Sequence, residues 1–259
     1  MTEIPEAATF DRQTAKTTVT TFRVIEALKR QSPARVSDLA AELDLSKGTV
    51  HKHLSTLREV NYVVQEGKRY RLSLRFIGLG TSVRTNLDIY RIAYESVEKL
   101  AETTGEVASI MIPEHGYGVY VVRMSASGRP DIDIREGESV PLTATAGGKA
   151  ILSYMAPEER DRIIDHHGLP DLTEHTITDP DELRDELRRV RNKRQAIDRG
   201  EYQPNQRCVA TPITDENGNP LAAVTVSGPS DRMSEKLADA DFPSLVGSTA
   251  DSIQSRLYR

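Results

Sequence analysis

The chain has no tryptophan, one cysteine and four phenylalanines among its 259 residues. A lone Cys208 excludes an internal disulfide framework. No apolar run approaches the roughly 20 residues that cross a bilayer, so no membrane partner is expected. The opening MTEIPEAATFDRQTAK carries acids where a secretory leader has basic residues, and it lacks an apolar stretch. Residues 1–13 are therefore expected to be a disordered tail, and the protein soluble and cytoplasmic. HExxH and CxxC are both absent. His166 and His167 are adjacent, and His51 and His53 diverge on a helix, so no metal is expected. The stretch AGGKAIL resembles a phosphate loop, but Thr143 and Ala150 break GxxxxGK[ST] at two required positions. No cofactor is expected. Cys208 has no histidine nearby in sequence, so no catalytic residue is assigned.

What is present begins with VSDLAAELDLSKGTVHKHLSTLREVNY, residues 36–62. It reads as two short helices around a tight turn. Ser37 is the expected N-cap of the first helix and Ser46 that of the second, because a hydroxyl there accepts from an orphan N–H. Leu39, Ala40 and Leu43 give the first helix an apolar face. Asp44 sits at the turn and tolerates the left-handed region. Val50, Leu54 and Leu57 recur at helical spacing in the second helix. Its other face offers Lys47, Thr49, His51, Lys52, His53 and Ser55, a set suited to the DNA major groove. An amphipathic pair alone is also what an ordinary solvated helix presents, so the flanking segments matter. Residues 20–30 supply a helix before the pair, with Phe22, Ile25, Ala27 and Leu28 inward. After it, VVQEGKRYRLSLR alternates with period two around Gly67, which is a hairpin. With Lys68, Arg69 and Arg71 on it, the hairpin is a wing.

Charge is distributed accordingly. Residues 14–80 hold twelve Lys/Arg against six acids, while the whole chain is at −5. Attraction to phosphate is therefore local, and salt should screen it. Arginine outnumbers lysine 25 to 9, which fits either a GC-rich genome or a saline cell.

The length suits two domains. Residues 14–75 are expected as a DNA-binding domain, 76–87 as a helical linker interrupted by Gly78 and Gly80, and 88–259 as a second domain. That second domain opens with a helix, 89–104, capped by Asp88 and stopped by Gly105. Strands are expected at 107–113, 118–124, 130–136, 197–204, 208–214 and 221–227. Helices are expected at 157–167, 179–194 and 243–257, with small residues leading into another within 141–155. Six strands with helices around them describe an α+β domain on an antiparallel sheet. Gly147 and Gly148, at a helix start, suit a carboxylate or require no ligand at all.

Six ordered blocks carry a further reading. VSDLAAELDLSKGTVHKHLSTLREVNYV, YRLSLRFIGLG, LAETTGEVASIMI, PLTATAGGKAIL, TITDPDELRDELRRVRNKRQAID and CVATPITDENGNPLAAVTVSGPSDRM stand at family-like spacing. From about Thr17 to the C-terminus the chain resembles the IclR family of transcriptional regulators. The resemblance implies a winged helix-turn-helix joined by a helical linker to a GAF/PAS-like effector-binding domain. It implies homodimers or homotetramers on palindromic operators, and effectors that are small metabolites, often acids. It assigns pocket positions to Ala146, Gly147, Asp198, Cys208, Thr225 and Ser227. Thr225 and Ser227 share one strand face by alternation. The chain departs from the family pattern at His53, where arginine is usual, and at Arg199-Gly200, where an acidic pair is usual.

The expectation is a sequence-specific regulator, repressor or activator, whose operator contacts are Ser46, Lys47, Thr49, His51, Lys52, Arg58, Lys68, Arg69 and Arg71. The rivals are a small-molecule hydrolase with a DNA-binding appendage, acting through Cys208, and an effector-independent DNA binder.

Overall fold

The computed structural model describes residues 14–126, 135–239 and 241–258. The expected tail, and the expected strand at 130–136 up to residue 134, lie outside the described residues. The chain divides into two compact units between Val83 and Arg84.

In the first unit, helix α1 (Lys16–Gln31) is followed by a two-residue strand, β1 (Ala34–Arg35). Helices α2 (Val36–Glu42) and α3 (Lys47–Glu59) follow, then the hairpin β2 (Val63–Glu66) and β3 (Arg69–Leu72). The strands pair antiparallel in the order β1-β3-β2. The turns use left-handed residues at Asp44 (φ 52°), Asn61 (φ 65°) and Gly67 (φ 61°). Leu28, Leu39 and Leu54 are fully buried, each worth roughly 2–3 kcal/mol of transfer free energy.

Two local expectations need correction. Phe22 is 52% exposed, and Val24, Ala27 and Leu28 form the buried stripe of α1 instead. Helix α2 begins at Val36, two residues earlier than the Ser37 cap requires. The Arg35 N–H donates to the Asp38 carboxylate at 3.1 Å, and the Ser37 hydroxyl donates to the same side chain at 3.0 Å. A carboxylate at the third helical position satisfies the cap in place of the serine.

Helix α4 (Arg75–Thr85) runs through Gly78 and Gly80 without a break and buries none of its residues.

The second unit opens with α5 (Asp88–Thr104). Gly105 caps it in the left-handed region (φ 69°), its N–H reaching Ala101 O at 2.8 Å. The strands are β4 (Val107–Glu114), β5 (Tyr117–Ser125), β6 (Ser139–Pro141), β7 (Ala196–Asp198), β8 (Gln206–Thr214) and β9 (Pro220–Pro229). They form one six-stranded antiparallel sheet in the order β6-β5-β4-β9-β8-β7. The expected strand at 197–204 shrinks to β7, because the chain turns at Gly200 (φ 91°).

Helices α6 (Ala146–Leu152), α7 (Pro157–His167) and α8 (Pro180–Lys193) precede β7; α9 (Ser230–Ala238) and α10 (Asp241–Leu257) close the chain. Alternation divides the sheet into two faces. Ala108, Ile110, Val122, Val209, Val224 and Val226 pack with apolar residues of α5, α9 and α10. Val107, Met111, Tyr120, Cys208, Ala210 and Ala223 pack with those of α6 and α8. The second face also carries polar groups.

Candidate DNA interface and ligand pocket

Helix α3 presents its start to solvent. The Ser46 hydroxyl accepts from the Thr49 N–H at 3.0 Å and lies 2.9 Å from the Thr49 hydroxyl. That cap fixes the entry to the helix and leaves other first-turn N–H groups and the positive dipole end facing outward, a favourable seat for phosphate. Lys47, His51 and Lys52 are exposed beside it. His53 turns away. Its Nδ1 lies 2.9 Å from the Thr21 hydroxyl of α1, and burial pushes its pKa down. It joins helices rather than facing a groove.

The wing cations differ among themselves. Lys68 stands exposed at the hairpin turn. Arg71 pairs with Glu66 at 2.8 Å across the turn. The Arg69 guanidinium donates to the Pro33 carbonyl at 2.9 Å, and Arg58 donates to the Gln65 side chain. Three of the four expected phosphate contacts are thus already held by neighbours. These bonds preset their positions, and exposed pairs of this kind cost little to exchange for phosphate.

In the second unit, cross-strand register assembles the polar groups. Asp198 sits opposite Cys208, Cys208 opposite Ser227, and Ser227 opposite Val107. Two residues along, Ala210 lies opposite Thr225, Thr225 opposite Ser109, and Ser109 opposite Arg123. Period-two alternation puts both rows on the face beneath α6. The start of α6 closes over them. Thr145 caps that helix, its hydroxyl accepting from the Gly148 N–H at 3.2 Å. A Cβ on Gly148 would stand 2.1 Å from the Leu142 carbonyl oxygen, and one on Gly147 2.8 Å from the Met111 sulfur. The glycines therefore serve the close approach of α6 to its neighbours.

A cavity with about 30 Å³ of free volume lies at this junction, room for one or two waters. Ala146, Asp198, Cys208 and Ser227 line it. Gly147 and Thr225 are buried and do not form its wall. Among the described residues the Ser227 hydroxyl and Oε1 of Gln206 are buried with no hydrogen-bond partner, while the Thr225 hydroxyl is buried beside the Cys208 thiol.

The electrostatics are those of a closed polar site. The Asp198 carboxylate accepts the N–H groups of Gly200 and Glu201 at 3.0 and 2.6 Å. Burial, with the nearby Glu201 charge, still raises its pKa to about 7. Burial, with Asp198 adding to it, pushes the Cys208 thiol up to about 12. Beyond Asp198 lies Lys149, only 1% exposed, bonded to Glu201 at 2.6 Å, Ile197 O at 2.9 Å and Glu186 at 3.2 Å. Burial raises the Glu201 pKa against the pull of Lys149. At Glu186 burial works the same way, but Lys149 and Arg189 together outweigh it and the pKa falls.

Residues 81–255 match the family model described as the C-terminal region of the bacterial transcriptional regulator IclR, and residues 19–67 match the IclR helix-turn-helix domain. The chain belongs to the IclR family. Among curated relatives, the "Probable HTH-type transcriptional regulator ArcR" of Halobacterium salinarum is 30% identical over 258 residues, covering 98% of both chains. The HTH-type transcriptional regulator KdgR of Dickeya chrysanthemi is 30% identical over 83% of this chain and 71% of its own. Among solved structures, the IclR of Thermotoga maritima matches at TM-score 0.75 and 26% identity, over 95% of this chain and 100% of that one. An IclR homologue from Microbacterium hydrocarbonoxydans, complexed with 4-hydroxybenzoate, shares the fold at TM-score 0.78 and 21% identity, over 93% and 99%.

For this IclR-family regulator, residue patterns alone missed much of the pocket wall. Tyr120, Arg123, Tyr202, Gln203, Gln206 and Arg207 line the cavity as well. The one available signal was Arg123, a charge in the otherwise apolar run GVYVVRM. Lys149 was visible too, as a lone charge in a helix of small and apolar residues.

Proposed function

We propose that this IclR-family regulator grips operator DNA with α3 and its wing, and that a small organic acid in the α6 pocket controls the grip. Ser46, Lys47, Thr49, His51 and Lys52 read and clamp the groove; Arg58, Lys68, Arg69 and Arg71 hold phosphates. Ala146, Asp198, Cys208 and Ser227 contact the effector, with Gly147 and Thr225 backing them. Two copies or four act together in the cytoplasm. Leu74, Ile77, Leu79 and Val83 are 75, 63, 51 and 69% exposed on or beside α4, apolar surface that an intersubunit contact would cover. Effector binding shifts the population of subunit arrangements, which changes the spacing of two recognition helices.

The observation that carries this reading is the polar wall under α6, where the Ser227 hydroxyl and Oε1 of Gln206 are buried with no hydrogen-bond partner among the described residues. Buried hydroxyls are rarely left so without a ligand or water to meet them. Footprinting on the DNA upstream of the protein's own gene, with and without a metabolite mixture, tests it. Protection that changes with metabolites is expected; protection indifferent to them contradicts the effector.

The hydrolase reading has less support. The Cys208 thiol is buried, its proton is held to high pH, and it donates to Val209 O at 3.6 Å. A nucleophilic cysteine needs a lowered pKa and access. Cys208→Ser should change effector affinity without removing any turnover.

A further inference from the structure

Arg123 is held in place by several neighbours. Its backbone N–H donates to the Glu136 carboxylate at 3.1 Å, and Nη1 donates to the Ser109 hydroxyl at 3.1 Å. The guanidinium lies over the Tyr120 ring, 4.6 Å from its centroid. These contacts orient the group but do not neutralise it. Among the described residues no carboxylate forms a salt bridge with the Arg123 side chain, and its Nε is buried with no hydrogen-bond partner. A half-buried guanidinium without an anionic partner is costly, and its planar fork matches the paired oxygens of a carboxylate, the smaller of the anions it grips bidentately.

The same cavity wall holds Asp198, whose two N–H bonds both go to Oδ1. Asp198 offers its other oxygen as an acceptor. Between these poles Ser227 Oγ and Gln206 Oε1 are buried and, among the described residues, without a hydrogen-bond partner. The wall is therefore bipolar, with a cation at one side, an acceptor at the other and uncommitted polar atoms between.

We infer that Arg123 is the anion anchor of this pocket, and that its ligand is a small hydroxylated carboxylate. The carboxylate sits on the Arg123 fork, and a ligand hydroxyl donates to Asp198. A neutral polyol leaves Arg123 uncompensated; an acid without hydroxyls leaves Asp198 and Ser227 unmet. Either lack is penalised heavily in a site built for the missing group. The free volume of about 30 Å³ is too small for such a ligand, so Tyr202, Gln203 and Arg207 must withdraw on entry. This inference rests on the assignment of the pocket as the effector site.

Titration calorimetry on the full chain tests it. The probes are glycerate, threonate and gluconate, their polyols glycerol, threitol and sorbitol, and the acids propionate, butyrate and hexanoate. At least one hydroxy acid should bind, with its polyol and its deoxy acid at least tenfold weaker. Arg123→Met should abolish the preference over the polyol, Arg123→Lys should keep part of it, and Asp198→Asn should abolish the preference over the deoxy acid. Equal binding of a polyol or a deoxy acid overturns the inference. So does undiminished hydroxy-acid binding by Arg123→Met, or a wild-type protein that binds none of the three hydroxy acids. Circular dichroism melts establish that each variant folds; should Arg123→Met not fold, Arg123→Lys carries the test. Ala146→Leu, which fills the cavity, separates the two levels. If a probe still binds that variant, the pocket is misassigned. If Ala146→Leu blocks binding and Arg123→Met does not, only the anchor falls.

Discussion

The Lys149 ammonium of α6 lies 2.6 Å from the Glu201 carboxylate, just past β7 and inside the second unit. With Glu186, which is partly exposed, at 3.2 Å it forms a triad of one buried cation and two acids beside the pocket. Removing the cation strands Glu201 and leaves Glu186 only its exposed partner Arg189, 3.2 Å away. Lys149→Met should lower unfolding free energy by about 3–5 kcal/mol, the usual cost of leaving buried charge unpaired. Urea unfolding checks this. A loss under about 1 kcal/mol would mean that water reaches the triad.

Asp198 gives a pH signature. Its folded pKa of about 7 is well above the ordinary carboxylate value of about 4. A raised carboxyl pKa means that the protonated form fits the fold better. The contribution is full below about pH 4 and is lost as pH rises through about 7. Relative to Asp198→Asn, the wild-type protein should lose stability across that window, by on the order of a few kcal/mol. Parallel melting curves from pH 4 to 8 would place the carboxyl in water.

Gly147 and Gly148 separate by what they touch. A methyl on Gly148 meets the Leu142 backbone at 2.1–2.5 Å, which cannot yield. A methyl on Gly147 meets the flexible end of Met111 and the Thr225 methyl. Gly148→Ala should destabilise by about 3 kcal/mol or more, as severe overpacking does, and Gly147→Ala by about 1. The reverse order in thermal melts would contradict the packing described for α6.

Much of the first unit was legible in the residues, because its signals are local. Ser46, Asp44 and Gly67 each do at their own position what their chemistry suggests. The boundary at α2 was misread because Asp38 accepts the Arg35 N–H in place of Ser37. The outer strand β1 is two residues long and too short for any periodicity. In the second unit, alternation found β4, β5, β8 and β9, but their order was illegible. The β4–β9 pairing joins Val107 to Ser227 across more than a hundred residues, and no local pattern encodes it. The same distance hid Arg123 from the other pocket residues. Helix α9 was missed because SGPSDRMSEKLA reads as a polar turn until Met233 is seen to be buried.

At the DNA face, Lys68 and Arg69 should behave differently. Lys68→Ala removes an exposed cation and should lower the log–log salt slope of DNA binding by about one, without altering sequence preference. Arg69→Ala also frees the Pro33 carbonyl, so it should add a modest loss of domain stability, about 0.5–1 kcal/mol. A change in preferred sequence with either variant would contradict the phosphate assignment.

The most direct test is fluorescence anisotropy of the full chain on DNA from upstream of its own gene, as a function of salt and of the ligand that titrates the pocket. Affinity should fall linearly with log salt, with a slope of several. Saturating ligand should shift it by about 5–150-fold at fixed salt. DNA affinity that neither salt nor ligand moves would contradict a cationic winged helix governed by a metabolite pocket.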